Sequence, residues 1–479
     1  MGTWYSNPAH GVARSQENVV KSINMTEVFM TQHETILDPP QSFWGRFRFV
    51  GPSLIITATL VGSGELLATT TFGAKVGFAA LWLIIGTCLI KVALQEALGR
   101  YTISSGDTTL KAFTRLPGPK NWAIWFWLVV IIATSVQLGA ISRVVGEAVK
   151  LTLGQSGAEE FIWAPVICLI CLVLLYNGKY AVIEKVSTLL VSLFSIATIF
   201  TAAEIQWTPN FITSADLIDG FRFQFPEAGV GVALGIVAIV GLSSSELVYY
   251  AYWCLEKGYA RWTGPDDGSE AWAQRARGWI RVMHVDCILA FVIYTTTTVA
   301  FYLLGATVLH RQKIDPGEGL DVLEKLSRMY TETLGPWAFY LFIGSALLVL
   351  FSTLFVSIAS YARLVPDAIF ILRGATNVND SVRRRWVQRS VVVFSILFAL
   401  MAQVRENPVQ LVVIGVIGLA LLLPVICFAA VWLRYAKLDP RIRPSWALDL
   451  WLWASAILTA LMTVFSLWKG VEKYLLGGG

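Results

Sequence analysis

The sequence predicts an all-α polytopic membrane protein of about eleven transmembrane helices, and two observations carry that prediction. The 479-residue chain is 56% hydrophobic and only 14% charged, with 19 tryptophans; soluble domains have roughly 25% charged residues. Its apolar stretches recur in blocks of about 20 residues, the length that crosses a hydrocarbon layer roughly 30 Å thick. Lipid offers no water to loose backbone groups, so spanning segments are helices or closed barrels, and continuous apolar runs select helices.

Taken in order, the expected spans lie near 48–73, 78–99, 122–149, 160–176, 180–205, 228–255, 281–306, 336–362, 388–404, 407–434 and 448–469. The first 45 residues are polar and lack a basic-then-apolar start, so they read as a cytosolic tail without a signal peptide. Basic residues of short loops set orientation. With the N-terminus inside, the cytosolic loops hold Arg100, Lys111, Arg115 and Lys120, then Arg261, Arg275 and Arg277, then Arg373, Arg383, Arg384, Arg385 and Arg389, and finally Arg434, Lys437, Arg441 and Arg443. The outer loops carry acids such as Glu159, Glu160, Asp216, Asp219, Asp315 and Glu318. An odd number of spans then leaves the C-terminus extracytoplasmic, in a plasma membrane. The net charge of +5 thus reports topology, and no nucleic-acid partner is expected.

One pattern repeats. Residues 61–66 read VGSGEL and residues 242–247 read LSSSEL, each a glutamate inside an apolar span after helix-weakening small residues. The first lies in span one and the second in span six. They stand five positions apart in the order of spans, which suggests two inverted five-helix repeats. The expected layout is a tail (1–45), a first repeat (46–206), an extracellular loop (207–227), a second repeat (228–435), and an eleventh span with the C-terminus (436–479). Secondary transporters of this kind place discontinuous helices at matching positions with the substrate between them. Gly62 and Gly64 weaken helix, and Ser63, Ser243, Ser244 and Ser245 offer hydroxyls to freed backbone or to a ligand. A carboxylate at membrane depth is unfavourable by roughly 2–3 kcal/mol or more, so Glu65 and Glu246 should face a partner, a ligand or water. The plainer alternative is close helix packing on small residues, with each glutamate bonded to a neighbour.

Several stretches resemble the Nramp divalent-metal transporters: GPSLIITATLVGSGELLATTTFGAKVGF (51–78), LQEALGRYTISSGDTTLKAF (94–113), LLYNGKYAVIEK (174–185), LGIVAIVGLSSSELVYY (234–250) and, more loosely, RVMHVD (281–286). The resemblance covers most of spans one to ten and implies the LeuT-type inverted 5+5 repeat, with helices one and six broken, and secondary transport. The functional positions depart from the family. Its Asp-Pro-Gly-Asn motif aligns with Gly62, Ser63, Gly64 and Glu65, and its Met-Pro-His motif with Leu242, Ser243 and Ser244. A span-ten glutamine aligns with Leu422, and the acid expected on span three with Ser135; Asp286 matches an acid at the start of span seven.

The remaining donors are carboxylates and hydroxyls, which suit hard ions such as Mg²⁺ or Mn²⁺. Glu65 and Glu246 are then the candidate metal ligands, with Lys91, Ser135 and Asp286 as candidates for coupling or charge neutralisation. Lys91, inside span two, either snorkels to the interface, pairs with Glu96, or neutralises Glu65 or Glu246. In the last case the site favours an organic amine or another small solute over a metal. A transporter-shaped sensor or scaffold is the third alternative. Arg143 and Glu147 should pair on span three, and the six cysteines, all within spans, read as buried small hydrophobes. No nucleotide-binding G-x-x-x-x-G-K-[ST] or H-E-x-x-H motif occurs, so neither an ATP-driven pump nor the simplest metalloprotease is expected. Neither is a cofactor. The expected partners are the lipid bilayer and a small cation or small-molecule substrate; oligomeric state is left open.

Overall fold

The computed structural model describes residues 36–62, 64–155, 160–224, 240–315, 322–375, 378–404 and 408–475. Among them the chain is nearly all helix, and each predicted span coincides with at least part of one. A short helix α1 (Phe43–Phe47) precedes α2 (Pro52–Leu60). After a break come a π-helical turn (Gly64–Thr69) and α3 (Thr70–Val76), bent by 46° from α2. The chain continues through α4 (Leu81–Ser105), α5 (Thr109–Phe113), α6 (Trp122–Thr152), α7 (Glu160–Leu175) and α8 (Tyr180–Glu204). A loop helix α9 (Ser214–Gly220) follows.

Of span six, residues 240–255 are described, and α10 (Ser244–Lys257) runs two residues past its expected end; its first part, 228–239, lies outside the described residues. Then come α11 (Tyr259–Thr263), α12 (Glu270–Leu304) ending in a π-turn (Gly305–His310), α13 (Val322–Leu334) and α14 (Ala338–Leu372). The chain closes with α15 (Asp380–Met401), α16 (Pro408–Ala436) and α17 (Trp446–Leu475). Among the described residues, seven helices are long and apolar enough to cross a bilayer, and the bent pair α2–α3 adds an eighth. Two further expected spans are shorter or more charged: α7 has 16 residues, and α15 begins with a run of arginines.

The short half-helices sit in the middle. α2 packs against α8, α10, α12 and α14, and α10 packs against α2, α4 and α16. Outer faces carry exposed apolar residues, such as Ile162, Val173, Ile196, Ile288, Val292 and Leu461, as lipid contact demands. The six cysteines are buried. Arg143 donates to the Val404 carbonyl at 3.1 Å and lies over the Phe161 ring, while Glu147 pairs with Lys150 at 2.6 Å.

Candidate functional site

The break after α2 leaves the helix's last carbonyls without intrahelical partners. Hydroxyls of α14 replace them: Ser352 donates to the Ala58 carbonyl at 2.7 Å and Thr353 to the Thr59 carbonyl at 3.4 Å. Gly62 permits this approach, because a Cβ there would stand 1.7 Å from Thr353 Oγ1 and 2.6 Å from the Thr59 carbonyl. Gly62→Ala should therefore be destabilising by about 1–3 kcal/mol, the usual scale of overpacking. A thermal-unfolding midpoint in detergent checks this. Adding Thr353→Ala should recover only part of the loss, since the Thr59 carbonyl remains in the way.

Glu65 opens the π-turn and is buried, 1% exposed. Its Oε2 accepts from Thr69 Oγ1 at 2.6 Å and its Oε1 from the Gly241 amide at 3.3 Å. Gly241 belongs to the non-helical residues ahead of α10, so the break after α2 and the entry to α10 meet at this carboxylate. Gly241 takes φ +68°, and its Cα side lies against the Cys88 backbone, where a Cβ would come within 3.2 Å of Cys88 Cα. Glycine meets both demands.

Lys91 is fully buried, and its Nζ donates to the Val240 carbonyl at 2.7 Å. That carbonyl and the Gly241 amide belong to one peptide unit. An ammonium on span two and a carboxylate on span one therefore grip opposite ends of a single peptide of span six. The burial excludes snorkelling to the interface. Pairing with Glu96 is also excluded, because Glu96 bonds Arg100, and His284 Nε2 at 2.9 Å. Lys91 forms no ion pair within 4 Å among the described residues, yet its charge acts on both Glu65 and Glu246.

Glu246 is buried in the first turn of α10, and its Oε2 accepts from the Ser243 amide at 3.0 Å and from the Ser243 hydroxyl. Ser243 in turn caps the helix, its Oγ accepting from the Ser245 amide at 3.2 Å. Ser-Ser-Ser-Glu is thus a capping box, a reading available from the S-x-x-E spacing that the comparison with VGSGEL obscured. Ser244 donates to the Leu419 carbonyl of α16 at 2.8 Å. Leu242 is buried and offers no donor. Ser63 lies outside the described residues, while Gly64 begins the π-turn.

The remaining candidates are placed elsewhere. Ser135 returns its hydroxyl to the Ile131 carbonyl of its own helix at 2.7 Å. Asp286, fully buried, accepts from the amides of Gly51 at 2.7 Å and Ser53 at 2.8 Å. It caps the start of α2, the opposite end of a nine-residue helix from Glu65, about 13 Å along the axis. Sequence reasoning missed Ser352 and Thr353, and missed the Val240–Gly241 peptide, because backbone ligands leave no signature in side-chain identity. Among the described residues, no three His, Cys, Asp or Glu side chains gather as a metal-binding group.

The sequence matches the family described as natural resistance-associated macrophage protein-like over residues 53–469. It is 23% identical to the divalent metal cation transporter MntH of Chromohalobacter salexigens, over 81% of this chain and 84% of that one. Among solved structures, the manganese transporter of Eremococcus coleocola, in a single-residue variant, superposes with a TM-score of 0.66 at 14% identity, covering 93% of this chain and 91% of that one. MhsT, in complex with L-phenylalanine, gives 0.55 at 15% identity, covering 90% and 99%; both likenesses concern the fold. With the match running from the start of α2 into α17, and with the break after α2 joined to the entry of α10 at Glu65, the chain belongs to the Nramp family and is an integral membrane transporter of LeuT-type fold, not an enzyme.

Proposed function

We propose that the protein is a secondary transporter of a divalent metal cation in the plasma membrane, with the N-terminus cytosolic and the C-terminus extracytoplasmic. Access would alternate around the junction of the two broken spans. The supporting observation is the bond from the Gly241 amide to Glu65, which puts a buried carboxylate where the proposed inverted repeats meet. The MntH relative, named a divalent metal cation transporter, supports the cargo class. Its finer identity follows from donor chemistry. Carboxylate oxygens of Glu65 and Glu246, serine hydroxyls and unwound carbonyls are hard ligands, and Leu242 supplies no sulfur, so Mg²⁺ and Mn²⁺ are favoured over softer ions. The structural neighbour named a manganese transporter agrees with that bias. Both bonds to Glu246 go to Oε2, leaving Oε1 to turn towards a cargo.

A second reading has one specific observation in its favour. Lys91 is a buried cation beside the same peptide unit, and a resident cation repels a divalent ion. On this reading the cargo is a small organic solute that makes use of the ammonium. Uptake by the full chain in proteoliposomes separates the two. Mn²⁺ or Mg²⁺ flux that falls at least about a hundredfold in Glu65→Gln, the loss expected for a buried charged contact, supports metal transport. Absent metal flux, with a small solute stabilising the purified protein, supports the alternative.

A further inference from the structure

At the end of α12 remote from its π-turn, the chain forms a cavity of about 270 Å³ whose polar lining includes Gln41, Arg46, Gln274, Arg277 and Arg281. The cavity exists because residues 39–41 lie directly on α12. Pro39 packs against Gly278, where a Cβ would come within 2.1 Å of Pro39 Cγ. One arginine is committed: Arg277 bonds Glu270 and the Arg441 carbonyl at 2.8 Å. The other two are not. Arg46 makes a long contact of 3.4 Å to the Gln41 carbonyl, and its buried Nε has no partner. Arg281 is exposed and has no hydrogen-bond or ion-pair partner among the described residues. Two guanidinium groups thus face a cavity with donor capacity in excess of the acceptors around them.

The position relative to lipid is fixed by the helix itself. Arg281 shares a face of α12 with Ile288 and Val292, seven and eleven residues further on, which are 60% and 54% exposed among apolar neighbours. That face is a lipid-contacting stripe, and Arg281 stands on it about 10 Å from Ile288. Beside Arg46, Phe43 and Trp44 of α1 are 55% and 78% exposed. Exposed aromatic residues of this kind sit at headgroup level.

We propose that this cavity binds the phosphate group of an anionic membrane lipid. Arg46 and Arg281 would hold it through paired N–H···O bonds, and Phe43 and Trp44 would lie against the acyl chain boundary. Guanidinium forks match phosphate oxygens in geometry and charge, and basic pockets at the ends of spans are a recurrent form of lipid recognition. The cavity lies apart from Glu65 and Lys91, so the site does not depend on the identity of the cargo.

The test uses the purified full chain in neutral detergent, titrated with phosphatidylglycerol, phosphatidylcholine or inorganic phosphate, and read by thermal unfolding and by native mass spectrometry. Phosphatidylglycerol should raise the unfolding temperature and remain bound, and phosphatidylcholine should do neither. Arg46→Gln and Arg281→Gln should each weaken phosphatidylglycerol binding about fivefold while leaving the lipid-free unfolding temperature unchanged. If inorganic phosphate alone reproduces the stabilisation, the ligand is a soluble phosphate and the lipid assignment falls. If the double variant binds phosphatidylglycerol as tightly as the parent, the site itself is refuted.

Discussion

Asp286→Ala is expected to lose about 3–6 kcal/mol of stability and to unfold at a temperature lower by several degrees, if it folds at all. The size follows from two bonds to a charged acceptor, each worth about 1.5–3 kcal/mol. The Asp286 carboxylate takes the amides of Gly51 and Ser53 in a fully buried setting, and both donors would be orphaned in the variant. An anion at a helix N-terminus also gains from the helix dipole. The same stretch of chain is held twice more: Tyr259 donates to the Phe49 carbonyl at 2.7 Å, and Lys257 bridges the Val50 carbonyl and Glu184 at 3.0 and 2.6 Å. Asp286 is therefore the buried end of a clasp on the start of α2. Asp286→Asn is the sharper probe, because an amide oxygen accepts from one amide while the NH₂ group faces the other. It should be less stable than the parent yet better than alanine. If Asp286→Asn instead unfolds normally and loses only the pH dependence of transport, the residue has the coupling role for which its match to a family acid made it a candidate. Detergent unfolding alongside uptake at two pH values decides between them.

How far the sequence could be read divides along a physical line. The bundle was legible because spanning lipid constrains side-chain polarity over about 20 residues at a time, and each expected span contains a helix. The first break was legible from Gly62 and Gly64, and the missing Cβ of Gly62 is itself the reason α14 can approach. Glu65 was visible as a charge without an excuse. Glu246 closes a capping box, a local motif that any soluble helix uses and the kind of neighbour bond that the plainer alternative expected. The matching look of VGSGEL and LSSSEL thus has two causes, a π-turn opening on one side and an N-cap on the other. Lys91 was noticed but left between the interface, Glu96 and the site, because a helical position fixes direction and not reach. Its actual partner is a carbonyl at Val240, and nothing in a side-chain pattern marks which peptide ahead of a helix will point at a lysine.

Lys91→Met provides the other large effect, and its sign depends on the cargo. Methionine nearly matches lysine in length and flexibility, so packing is retained while the charge and the bond to Val240 are removed. Leaving that carbonyl without a donor should be destabilising by about 1–3 kcal/mol, visible as a modest fall in unfolding temperature under either reading. Transport then separates them. For a divalent cation bound ~8 Å from the ammonium, at an effective dielectric near 20, the repulsion is about 4 kcal/mol. Even after heavy screening, its removal should lower the KM for Mn²⁺ at least about tenfold. For a solute that uses the ammonium, the same substitution deletes a buried charged contact, and transport should fall about a hundredfold or more. The Glu65 carboxylate supplies the internal check. With Lys91 gone it loses the cation that acts on it, so Glu65→Gln should be better tolerated in the Lys91→Met background if the two charges balance one another. A double-mutant cycle on KM and unfolding temperature measures that coupling. Purely additive effects would mean that Lys91 serves only as a backbone clamp, with no hand in setting the charge that the cargo meets.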